Sequence, residues 1–120
     1  MAETNDRVAV LADLALFAKT TQPVLEQIVE LMEVVEVPAD AELITRGDAA
    51  DALWVLVAGE VRVTAEDTEL RTLSAPAYFG EVATLTGLPR LATVTTAEVC
   101  TLWRIGSQDF LGVVGPGGSE

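Results

Sequence analysis

Between Glu33 and Ile105 the chain keeps entering short apolar runs rich in β-branched residues, and each run stops before it reaches helical length. The runs are Glu33 to Val37, Glu42 to Thr45, Ala52 to Ala58, Glu60 to Thr64, Glu69 to Leu73, Leu91 to Thr96 and Val99 to Ile105. Pro38, Gly47-Asp48, Gly59, Asp67 and Ala97-Glu98 separate them. Side chains branched at Cβ fit a pleated surface better than a helix, and Gly, Pro and Asp punctuate turns. Short strands at this spacing predict a sandwich or barrel.

The flanks follow a different period. Val8, Leu11, Leu14 and Phe17 lie about one helical turn apart, and Val24, Ile28 and Leu31 repeat the pattern after Thr20-Thr21-Gln22-Pro23. Thr21 or Gln22 caps this second helix, with Pro23 in the first turn, where a missing N–H costs nothing. Gly80 to Leu85 predicts one helical turn lodged between strands. Ser107-Gln108-Asp109 predicts the cap of a last apolar helix containing Phe110, Leu111, Val113 and Val114. Residues 1–114 thus form one unit, mainly β with flanking helices, and 115–120 read as a flexible tail.

Composition narrows the function. The 120 residues are 50% hydrophobic and 22% charged, an ordinary globular balance. Seven cations stand against 19 acids, for a formal net charge of -12. Nucleic acid and anionic membrane surfaces need clustered cations, so both are excluded as expected partners. Histidine is absent. That removes Ser-His and Cys-His nucleophile pairs and His-ligated metals, a cupin-type barrel enzyme among them, so no catalysis and no cofactor are expected. The single Cys100 cannot form an internal disulfide, which suits a reducing compartment, and no membrane span or targeting segment is visible. A cytoplasmic location is expected.

Charge is spread unevenly. From Leu73 to Ala97, 25 residues carry only Glu81 and Arg90. A stretch so poor in charge predicts burial, and the simplest structural account pairs these two with each other.

Their surroundings say more. Phe79-Gly80-Glu81-Val82-Ala83-Thr84-Leu85, followed by Gly87-Leu88-Pro89-Arg90-Leu91-Ala92-Thr93-Val94, resembles the phosphate-binding cassette of the cyclic nucleotide-binding domain family. Arg46-Gly47-Asp48, with Leu53 to Val63, resembles that family's glycine turn and hairpin, and Leu14 to Phe17 resembles its N-terminal helical motif. The likeness spans about residues 8 to 114. It implies an eight-stranded antiparallel jelly-roll-like β-barrel and a regulatory module that senses a cyclic nucleotide, as in cyclic AMP receptors and protein kinase A regulatory subunits.

By this resemblance Arg90 is the phosphate ligand and Glu81 the ribose ligand. The chemistry agrees. Arg90 can fork two N–H groups onto phosphate oxygens, which a lysine cannot do with the same planarity. Gly80 lets the backbone come close, and the N–H groups of Val82 and Ala83 open a short helix. Leu91 and Ala92 complete the set, Ala92 being small where the strand passes the anion. Gly47 and Gly59 are turn glycines. Trp54, Trp103 and Cys100 belong to the core, Phe79 is a packing anchor, and Tyr78 and Phe79 border the cassette.

The chain also departs from the family. Leu91 stands where a hydroxyl would favour the guanine amino group, so cyclic AMP is the expected ligand and cyclic GMP the weaker one. Ala75-Pro76-Ala77 and Ala41 replace common glycines, and the chain given stops shortly after the last helix, so the lid helix that the resemblance implies over the base is not expected within it. A fragment or a stand-alone sensor beside an effector domain is expected. The alternative is a degenerate domain of the same fold that binds a protein partner and no nucleotide.

Overall fold

A computed structural model describes residues 4–66 and 68–114. The expected tail at 115–120 and the turn residue Asp67 lie outside the described residues. Two helices come first, α1 (Thr4–Ala12) and α2 (Gln22–Leu31), joined through a 3-10 turn at Ala15–Phe17. The helical period from Val8 to Phe17 therefore does not belong to one helix. It breaks after Ala12 and resumes as the turn that buries Phe17. Pro23 falls in the first turn of α2, and Thr21 holds the cap position without a side-chain hydrogen bond.

Eight strands follow: β1 (Glu33–Val37), β2 (Glu42–Ile44), β3 (Ala52–Ala58), β4 (Glu60–Ala65), β5 (Thr68–Ser74), β6 (Ala77–Phe79), β7 (Thr93–Thr96) and β8 (Cys100–Gly106). The short helix α3 (Glu81–Thr86) lies between β6 and β7, and α4 (Ser107–Val114) leaves β8. All pairs are antiparallel. The strands do not close into the expected barrel. They form two four-stranded sheets, ordered β1-β8-β3-β6 and β2-β7-β4-β5. Each sheet keeps two edge strands, because β6 pairs with β3 alone and β5 with β4 alone.

Alternation along β3 explains the layers. Leu53 and Val55 face the helices, where they join Leu11, Phe17, Ile28, Trp103, Ile105 and Phe110 in one buried cluster. Ala52, Trp54 and Leu56 face the second sheet and join Ile44, Val61, Val63, Phe79, Val94 and Leu102. Burial on both faces is why this strand reads as a continuous apolar run. Two glycines make the turns possible. Gly47 has φ +92, and Gly59 has φ +104 with Cys100 Sγ 2.7 Å from where a Cβ would stand.

Candidate functional site

The segment from Tyr78 to Val94 closes one side of a cavity of about 430 Å³. All seven residues singled out from the sequence line it: Gly80, Glu81, Val82, Ala83, Arg90, Leu91 and Ala92. Tyr78 and Phe79 border it, and Ile44, Val63, Leu70, Arg71 and Val94 form the rest of the wall.

Local backbone chemistry places the cassette. Gly80 takes a left-handed φ of +89 and turns β6 sharply into α3. A Cβ there would stand 3.1 Å from Arg90 Nη1 and 3.2 Å from the Ala52 carbonyl, so both the dihedral and the space call for glycine. At the far end Gly87, φ +75, closes α3 by donating its N–H to the Ala83 carbonyl at 2.9 Å. The chain then reaches Arg90, whose backbone is clasped by the turn before β3. Arg90 donates its N–H to the Asp48 carbonyl at 2.8 Å, and Gly47 donates to the Arg90 carbonyl at 2.9 Å.

The simple pairing of Glu81 with Arg90 does not occur. The Arg90 side chain is only 4% exposed, and its guanidinium is held by other acceptors. Nη1 donates to the Gly80 carbonyl at 2.8 Å, while Nη2 donates to the Ala52 carbonyl at 2.6 Å and to Asp51 Oδ1 at 3.2 Å. Asp51 also lies 3.7 Å from Arg104, which stacks over Trp54 at 5.8 Å. Glu81 is half-buried and among the described residues has no cation within 4 Å. One buried cation is thus fixed at the cavity wall, and beside it one carboxylate keeps its accepting oxygens free.

Asp51 escaped the sequence reading because it stands 39 residues from its partner. Only its position directly before the apolar run of β3 marked it. A second contact also escaped. The hydroxyls of Thr84 on α3 and Ser107 at the start of α4 lie 2.7 Å apart and are buried. Ser107 therefore opens α4 as expected, but its hydroxyl bonds to α3 instead of capping its own helix.

Two antiparallel sheets, helices on one face, and a cavity walled by a buried arginine and by a helix that starts at a left-handed glycine set the class of this domain. The comparisons agree with that class. The family model for the cyclic nucleotide-binding domain matches residues 34–115, and the chain belongs to that family. It is 40% identical over 114 residues to a cAMP-dependent protein kinase regulatory subunit of Yarrowia lipolytica, covering 89% of this chain and 28% of that protein. It is 37% identical over 86 residues to a cGMP-dependent protein kinase of Drosophila melanogaster, covering 72% of this chain and 8% of that protein. The solved regulatory domain of Toxoplasma gondii PKA with cAMP superposes with a TM-score of 0.89 at 26% identity, over 97% of this chain and 46% of that one. The chain spans between 8% and 28% of the length of the curated relatives it matches. Among the described residues no helix is long and apolar enough to cross a membrane.

Proposed function

We propose that this chain binds a cyclic nucleotide in the cavity between α3 and the second sheet, and that binding regulates an effector domain or protein partner without catalysis or cofactor. The observation that carries this is the placement of Arg90 and Glu81 on one cavity wall. Arg90 offers a buried, desolvated cation for the phosphodiester, and Glu81 offers an unpaired acceptor for the ribose 2'-hydroxyl. Of the two purine ligands the cassette by itself favours cyclic AMP, since Leu91 has no hydroxyl for the guanine amino group. Gly80, Val82, Ala83 and Ala92 shape the wall around the anion. A cytoplasmic setting belongs to the same reading, since the single, free Cys100 suits a reducing compartment.

Calorimetric titration with cyclic AMP and 2'-deoxy cyclic AMP tests the assignment. The parent should bind cyclic AMP, and at one hundred times Kd the ligand should add about 2.7 kcal/mol to unfolding stability. Glu81→Ala should lose roughly tenfold for cyclic AMP, about the strength of a hydrogen bond to a charged group, and much less for the deoxy analogue. Equal losses would assign Glu81 a structural role. Absence of binding by the parent would favour the other reading, a partner-binding module, whose support is the exposed apolar rim of Val82, Leu85, Leu88 and Leu91.

A further inference from the structure

One inward position of β8 breaks the pattern of its strand. Cys100 and Leu102 face the second sheet and are buried and apolar, and Arg104 follows on the same face. Arg104 stands directly opposite Trp54 of β3 and Glu33 of β1. Glu33 does not hold it, because among the described residues the two come no closer than 4 Å. The guanidinium instead lies over the Trp54 ring at 5.8 Å, with Nη2 3.7 Å from Asp51 Oδ2. Trp54 is 8% exposed and stacked on Phe79, so the ring is a fixed platform for the cation.

Asp51 is therefore divided between two arginines. Its Oδ1 accepts from Arg90 at 3.2 Å, and its Oδ2 faces Arg104. The division matters because of what it leaves to Arg90. A guanidinium carries five N–H groups. Gly80, Ala52 and Asp51 take three of those on Arg90, so two remain for a ligand. A carboxylate and a phosphate offer an arginine fork the same pair of oxygens, and either one bound through both oxygens takes two N–H groups. The Asp51 side chain is 73% exposed, so packing does not keep its second oxygen from turning towards Arg90. Arg104 does so, by giving that oxygen a cation of its own.

We propose that Arg104, which does not line the cavity, is a positioning residue of the anion site. It confines Asp51 to a one-oxygen contact with Arg90 and thereby keeps the fork open for a phosphodiester. The proposal rests on the cyclic nucleotide reading and deepens it, since it names the group that stops the protein's own carboxylate from taking the ligand's place.

A double-mutant cycle tests it, read by calorimetric titration with whichever of cyclic AMP and cyclic GMP the parent binds more tightly. Arg104→Met keeps an unbranched apolar stem over Trp54 and loses the charge, and it should weaken the nucleotide by roughly threefold to thirtyfold. Arg104→Lys retains a cation for Asp51 and should recover most of the loss. In an Asp51→Asn background no carboxylate competes for the fork, and Arg104→Met should then change affinity by less than about twofold. Equal losses in the two backgrounds would mean that Arg104 acts on the ligand or on the packing of Trp54 without Asp51. An Arg104→Met protein that binds as the parent does would make Arg104 a surface cation. Either outcome overturns the proposal while leaving the cyclic nucleotide reading intact. A parent that binds neither nucleotide overturns both.

Discussion

The sheet β1-β8-β3-β6 has two faces made from the same strands, and they are packed to different ends. Against the helices, Leu53, Val55, Trp103 and Ile105 meet Phe17 and Phe110, whose rings sit edge to face at 6.1 Å and 82°. Against the second sheet, Trp54 stacks on Phe79 at 6.4 Å, but the packing stops short and leaves the cavity. The helix-facing cluster is built from apolar side chains, whereas the open face gathers buried polar groups at its margins. Arg90 is one of these, and Thr96 is another. The Thr96 hydroxyl donates to the Pro38 carbonyl and accepts from the Ala41 N–H. A face that is filled can only stabilise. A face left partly unfilled must hold its polar groups with backbone partners, and only there can a small molecule take the place of a side chain.

Substitutions on the two faces should therefore read out differently. Phe17→Ala removes a side chain 1% exposed from the filled face and should cost about 3–5 kcal/mol of unfolding stability, seen in urea denaturation as a lower midpoint with an unchanged slope. Ligand affinity measured on the folded fraction should hardly move. Arg90→Ala acts on the open face. Truncating one partner of a desolvated charge contact typically costs about 2–5 kcal/mol, which is roughly thirtyfold to several thousandfold in cyclic nucleotide affinity. The melting temperature should fall too, because the carbonyls of Gly80 and Ala52 lose their shared donor. Arg90→Lys keeps a charge and should lie between. An Arg90→Ala protein that binds as the parent does would mean that the open face is merely unfilled.

The filled face was the easier one to read. Its residues repeat at local periods, so β1 and β3 could be bounded from their apolar runs and flanking turn residues, while β2, β4, β5 and β8 shift by one residue at one end or at both. The sequence gives no comparable signal for β6, whose three residues, Ala77–Phe79, include none branched at Cβ. The run expected from Leu91 loses its first two residues to the cavity wall, so β7 starts at Thr93. At the site, the cassette was legible because Gly80, Glu81 and Arg90 lie within one short stretch. Asp51 and Arg71 were not, because only folding brings Asp51, just before β3, to the Arg90 guanidinium and Arg71, on β5, to the cavity wall, and nothing adjacent in the chain marks an exposed aspartate or arginine as facing a site.

The smallest effect tests whether the two faces communicate. Thr84 belongs to the cassette helix, Ser107 begins α4, and α4 packs through Phe110 into the filled face. Ser107 also donates its backbone N–H to the Asp51 carbonyl at 2.9 Å, and Asp51 holds Arg90. The cavity cation and the helix layer are thus joined by one chain of hydrogen bonds. Thr84→Val keeps the shape but strands the Ser107 hydroxyl, and leaving a buried hydroxyl unpaired costs about 1–3 kcal/mol. Ser107→Ala should cost a similar amount. The double variant, which removes both hydroxyls, should be less destabilised than the sum of the two, with a coupling of at least about 0.5 kcal/mol. The stability gained on adding cyclic AMP should also be smaller in either single variant than in the parent if the contact carries the response of α3 to α4. Additive single effects, with the ligand response unchanged, would show the hydroxyl pair to be a packing detail and the two faces to be independent.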